Sequence, residues 1–218
     1  MARCVKKGRL CQIRKGLYGL NDPSTGSLMA NKFQIACRLS DFSFLDYHLA
    51  IEYYGLQEQS FVSEASVSSS TRFRPVDCAG VHFSVVLSST CLGISERMKE
   101  EGIRVVTRER LVVDCLDHPS RAGGIEEVIN VIALIQGLKE EDLLSILRFY
   151  DKDFLFLKAG YFLSPYYHDK LSSSFFSECL SHRHEKKYYL GQKGLQGVSI
   201  KRWNLIVPEE KKTPDALF

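Results

Sequence analysis

IRVVTRERLVVDCLDHPSRAGGIEEVI, residues 103–129, is the stretch on which the fold reading turns. It opens with a β-branched run, Ile103 to Val106, that favours a strand. Thr107 then offers a hydroxyl to cap a helix running to about Leu116, whose Leu111, Val112, Cys115 and Leu116 fall on one stripe. Pro119 disfavours helix in the residue before it, and Gly123-Gly124 breaks the chain again. A second helix follows, with Glu126 and Glu127 in the first turn where the helix dipole favours acid. Its apolar face is Ile125, Val128, Ile129, Ile132 and Ile135, and Gly137 ends it. A strand feeding two helices around a glycine break predicts an α+β fold.

Downstream, Leu143, Leu144, Leu147 and Tyr150 repeat at helical spacing and predict a helix over residues 140–150. Beyond Leu155 the period weakens through residues 157–163, with a helix expected near 172–179 and strands over 198–200 and 204–207. Upstream, residues 82–87 alternate as a strand, expected to pair with 103–106. Residues 61–65 suggest another strand, and SVSSSTRFRP (66–75) a mobile loop or hairpin tip. Helices are expected over 27–39 and 43–54, the second capped by Ser43 with Asp46. NDPSTG (21–26) is turn-forming and marks a boundary, dividing a 1–22 element from a 27–218 α+β domain. Before it, RLCQIRKGLYGL (9–20) forms a basic β-hairpin turning at Arg14-Lys15-Gly16, preceded by a turn or two of helix that Gly8 terminates.

With 218 residues, 44% apolar and 25% charged, the chain is long enough to bury a core and ordinary enough to be globular. It has no run of about 20 apolar residues to span a bilayer, and its polar, basic start is no secretory leader, so the cytoplasm is expected. Seven cysteines, an odd number without close pairs, argue against a disulfide framework. The net charge of +3 is small, but it is unevenly placed. Arg3, Lys6, Lys7, Arg9, Arg14 and Lys15 precede any acid, and Arg183, Lys186, Lys187, Lys193, Lys201 and Arg202 form a second group.

Three stretches taken together, LCQIRKGLYGL, the 103–129 segment, and the late pair KAGYFL and KRWNLIVP, resemble the AbiEi-type antitoxins. These are transcriptional regulators of bacterial type IV toxin–antitoxin (abortive infection) systems. The resemblance implies a winged helix-turn-helix, then a mixed α/β domain resembling a nucleotidyltransferase-like fold. Within that domain the family's Arg-x-x-x-Asp pair falls on Arg110 and Asp114, followed by Pro119, Gly123 and Gly124. Here Met1 falls near the end of what would be the recognition helix, so the expectation is a truncated reading head and a remnant wing. Implied partners are operator DNA, held more weakly for the truncation, and a nucleotidyltransferase toxin antagonised without a stable complex. No cofactor, metal or membrane is expected, and no catalytic activity.

The residues themselves leave alternatives. Lys6, Lys7, Arg9, Arg14 and Lys15 suit phosphate contact, where displaced counterions make binding salt-dependent, yet the same cations also protect a hairpin edge from aggregation. Arg110 and Asp114, one turn apart, suit a surface ion pair of about 0.3–0.5 kcal/mol. Asp114 with Asp117 is a possible metal pair for a nuclease or transferase, though a third ligand is not identifiable. Cys179, His182 and His184 have zinc chemistry but lack a fourth ligand. Gly123-Gly124 resembles a phosphate loop, yet Glu126 and Glu127 oppose an anion there. Finally, Arg183, Lys186, Lys187, Lys201 and Arg202 fit either a solvated face or a surface for an acidic protein or RNA.

Overall fold

A computed structural model describes residues 2–58, 63–88, 90–98, 102–190 and 197–208. It is a mixed α and β chain in two compact units, Met1–Gly55 with Gln59–Thr107, and Leu56–Glu58 with Arg108–Phe218. The division thus falls inside the 103–129 stretch, and the 21–26 turn lies within the first unit.

In that unit, α1 (Ala2–Lys6) ends at Gly8, whose φ of 69° only glycine adopts without strain. The hairpin follows, β1 (Leu10–Arg14) antiparallel to β2 (Leu17–Leu20), with Gly16 at φ 87° in the turn. Both expected helices are shorter than the pattern suggests. Asn31 and Gln34 cap α2 (Lys32–Ala36) reciprocally. Ser43 does not cap the next helix; Ser43 and Phe44 form β3, and Asp46 caps α3 (Tyr47–Tyr53), accepting from the Tyr47 amide at 2.7 Å. Pairing with a neighbouring strand has overridden local helix preference there.

That neighbour is β4 (Glu64–Ser69), so much of the serine-rich segment is an inner strand and not a loop. Of the strand expected over 61–65, Phe61 and Val62 lie outside the described residues. β4 runs parallel to β6 (Val81–Leu87), and β5 (Val76–Cys78) returns against β6 through Ala79-Gly80, both at positive φ, in a sheet of order β3-β4-β6-β5. Buried Ser68 and Ser69 are tolerable because each hydroxyl is bonded, Ser68 to Asp46 at 3.2 Å and Ser69 to Ser40 at 2.8 Å. β7 (Ile94–Met98) pairs with β8 (Ile103–Val106). β8 does not pair with β6 as alternation suggests. It joins beyond β3, where the Leu45 amide donates to the Arg104 carbonyl at 2.8 Å and the Val106 amide to Leu45 at 3.0 Å. Alternation shows that a strand has a buried face but not which strand lies beside it.

The second unit is built on helices. α4 (Arg108–Asp117) is buried from Glu109 through Leu116, against α5 (Ile125–Leu134), α6 (Glu140–Tyr150) and α7 (Asp153–Tyr167). α7 is the long helix that the weakening period hid. Leu155, Phe156, Leu157, Ala159, Gly160, Tyr161, Phe162 and Leu163 are buried in near-unbroken succession, which leaves no polar face to set a period. Ser172 caps α8 (Ser173–Ser181), which packs on α7. β10 (Val198–Ile200) and β11 (Leu205–Val207) are antiparallel, and β9 (Tyr188–Tyr189) lies parallel to β11. The two late motifs meet: the ring of buried Trp203 lies against Gly160, where a Cβ would overlap it.

Candidate functional site

The basic hairpin is held from both ends. Asn21 donates from its side chain to the Gly8 carbonyl at 3.0 Å and from its amide to Arg9 at 3.0 Å, tying the strand exit back to the end of α1. Lys6, Lys7, Arg9 and Lys15 are exposed, and Arg14 is half-buried. Helix, turn and hairpin thus present all five cations in one continuous segment. Beside the hairpin, Ile13, Leu17, Leu20, Met29 and Arg38 line an apolar groove of about 420 Å³, with Leu20 and Met29 each 63% exposed.

A second concavity, about 240 Å³ and mostly polar, lies where the end of β1 meets two loops. Arg14, Ser40, Asp41, Phe42, Thr71 and Arg72 line it. The 40–42 loop is held by Arg104, whose guanidinium donates to the carbonyls of Ser43 at 2.8 Å, Asp41 at 2.5 Å, Cys37 at 2.8 Å and Ser40 at 3.3 Å. These acceptors are neutral, so the cation's charge is left in place beneath the loop. Ser40 binds Ser43 and Ser69 at 2.8 Å each, and Ser69 accepts from the Thr71 amide at 3.1 Å, locking the two loops together. Arg104, Phe42, Thr71 and Arg72 were not legible as site residues. Arg72 sits in a low-complexity run and Arg104 in a strand, and Arg72 reaches the cavity beside Arg14 only through tertiary packing.

Arg110 and Asp114 are not a surface pair. Each is 1% exposed, with Nε to Oδ2 at 3.0 Å, and the Tyr150 hydroxyl donates to the other carboxylate oxygen at 2.5 Å. Asp117 pairs instead with Lys152 at 2.6 Å and His118 at 3.5 Å, so each of the two carboxylates has its own partners. Burial pushes the His118 pKa down, against the pull of Asp117. Pro119 starts a short 3₁₀ turn, and Gly123 and Gly124 stand at φ 103° and 114°. The Glu126 carboxylate lies against Gly124, which places an acid where an anion would have to sit.

Cys179 and the two histidines are not gathered as ligands. The thiol is buried, and burial pushes its pKa up to about 12. His182 and His184 instead hold the two oxygens of Asp153, at 2.7 and 2.9 Å, and His182 stacks on Phe156 with centroids 3.7 Å apart. Among the described residues no three His, Cys, Asp or Glu side chains converge as a metal site would require. The late basic runs do come together. Asn204 donates from its side chain to the carbonyls of His184 and Lys186, and β9 lies beside β11, which brings Lys186 and Lys187 next to the Lys201–Arg202 turn. Arg183, Lys186, Lys187, Lys201 and Arg202 are all exposed; Lys193 lies outside the described residues. No described helix is long and apolar enough to cross a membrane.

No protein-family model matches the chain, and no curated protein sequence matches it. Among solved structures it is similar to the RV2827C protein from Mycobacterium tuberculosis, with a TM-score of 0.65 over 94% of this chain and 78% of that one at 14% identity. At that identity the likeness is one of fold: a mixed α and β architecture that the two chains share.

Proposed function

We propose that the chain is an AbiEi-type antitoxin and transcriptional regulator, acting in the cytoplasm and having no reaction centre of its own. In this reading the α1–β1–β2 segment is the end of a winged helix-turn-helix, and its hairpin lies along duplex DNA phosphates. Residues 27–218 form the nucleotidyltransferase-like effector region that opposes a nucleotidyltransferase toxin without a lasting complex. The observation that carries it is the continuous presentation of Lys6, Lys7, Arg9, Arg14 and Lys15 on a braced hairpin. Arg110 and Asp114, locked with Tyr150, support the effector region as a structural polar core.

Salt dependence is the direct test. Five phosphate contacts give a slope of about −4.5 in log K against log salt, or roughly a 500-fold loss between 50 and 200 mM. Changing Lys6, Lys7, Arg9 and Lys15 together to alanine flattens that slope by about 3 to 4. Scrambled duplexes bind nearly as well as an operator, because phosphate contact reads no bases. A native chain that ignores duplex DNA at both salt concentrations sinks the DNA arm, and a toxin from the adjacent gene that kills equally with this chain present sinks the antitoxin arm. A second reading, an RNA- or protein-binding module, draws support from the convergence of the late basic runs beside β9 and β11. Loss of RNA binding on changing Lys186, Lys187, Lys201 and Arg202, with the hairpin intact, would favour it.

A further inference from the structure

We infer that the cavity between Arg14, the 40–42 loop and the 71–73 loop binds one phosphate of an unpaired, single-stranded nucleotide, whose base stacks on Phe42. The proposal rests on the nucleic-acid reading above but assigns a neighbouring site, which shares Arg14 with the hairpin, and a separate strand state.

Several observations point the same way. The Arg14 Nε is buried and has no hydrogen-bond partner, a donor left for an acceptor that the described residues do not supply. Arg72 is exposed and lines the same cavity, so two arginines border one space, and forked contact with phosphate oxygens is the chemistry a guanidinium there offers. Arg104 lies outside the lining but braces the Ser40 and Asp41 wall through their carbonyls, and its hydrogen bonds go to carbonyls and not to a carboxylate. Ser40 and Thr71 also line the wall, and Asp41 is the acid among the lining residues.

Size and shape narrow the ligand. At about 240 Å³ the cavity falls below the roughly 300–1,000 Å³ common for whole small-molecule ligands, so it takes a phosphate with part of a sugar and leaves the base outside. Phe42, 55% exposed at the mouth, offers that base a face. A base held in a duplex is already stacked on its neighbours and is not free to move onto a side chain; a single strand's base is. Duplex phosphates on the outer hairpin and a splayed nucleotide here are therefore distinct events.

The test is fluorescence anisotropy with labelled oligo-dT, oligo-U and a duplex, using the full chain, its Arg72→Ala and Phe42→Ala variants, and the Lys6, Lys7 and Lys15 alanine variant. Arg72 and Phe42 are both exposed, so their loss leaves the fold standing, which circular dichroism verifies. Phe42→Ala weakens single-strand binding roughly tenfold to a hundredfold and leaves duplex binding within about twofold. Arg72→Ala weakens it also and abolishes competition by inorganic phosphate. Asp41→Asn strengthens it. Single-strand binding that is unchanged in both Phe42→Ala and Arg72→Ala overturns the cavity proposal, while the Lys6, Lys7 and Lys15 variant reports separately on the hairpin. Loss of duplex binding alone in that variant, with single-strand binding kept, supports two separate sites, and equal loss of both strand types there overturns the cavity as a site of its own.

Discussion

Replacing Gly160 by alanine should destabilise the second unit, although the same change in most helix interiors stabilises. Gly160 lies within α7, where alanine is ordinarily favoured over glycine by about 1 kcal/mol. Here the added Cβ overlaps Cζ3 and Cη2 of Trp203, a rigid ring that is 1% exposed and has no room to retreat. Forcing a methyl into a packed core costs about 1–3 kcal/mol, so the net effect is a loss of about 0–2 kcal/mol. Trp203→Ala alone costs about 3–5 kcal/mol through the cavity it leaves. In that background the obstruction is gone, so Gly160→Ala changes sign and stabilises by up to about 1 kcal/mol. Urea unfolding followed by circular dichroism at the helix band, on all four members of the cycle, gives a coupling of about 1–3 kcal/mol. If Gly160→Ala stabilises equally with and without Trp203, within about 0.5 kcal/mol, the packing of KAGYFL against KRWNLIVP is wrong.

Asp114→Ala should cost about 3–5 kcal/mol in the same unfolding assay, the range for breaking a buried ion pair, where a surface pair would lose only a few tenths. A change below 1 kcal/mol refutes the burial. Thiol labelling with a disulfide reagent in native buffer should modify Cys4 and Cys91 quickly and leave Cys37, Cys78, Cys115 and Cys179 protected until denaturant is added. Burial raises the Cys37, Cys78 and Cys179 pKa values and so suppresses their thiolates; fast labelling of Cys179 contradicts this. The hydrogen bond from His182, joined by a weaker one from His184, holds the Asp153 carboxyl below its ordinary 3.8 against the opposing pull of desolvation. A depressed folded-state value contributes stability above about pH 3.8 that is lost as pH falls through the lower value. Asp153→Asn therefore lowers stability at neutral pH and flattens the acid limb below pH 4; an unchanged acid limb refutes it.

Local signals were legible wherever one element could announce itself. Gly8 and Gly16 punctuate the first helix and hairpin, and the Leu143, Leu144 and Leu147 stripe marks α6 at its observed bounds. The basic group in residues 3–15 and the two late cationic runs were also visible as charge. The 103–129 stretch correctly promised a strand and two helices around a double-glycine break, and the structure puts both glycines at positive φ.

What tertiary structure alone decided is every property that depends on a distant neighbour. The i, i+4 spacing of Arg110 and Asp114 is the same on any helix face, and only packing of α5, α6 and α7 around α4 makes it a buried pair. Serines at 66–69 look like loop until Asp46 and Ser40, some 20 to 30 residues earlier, supply hydroxyl partners. α7 lost its period because it is covered nearly all round. Arg14 and Arg72 border one cavity only because the tertiary packing of the first unit brings the end of β1 to the loop after β4. Periodicity and composition record what a residue prefers locally, whereas proximity across the sequence comes from burying those preferences against each other.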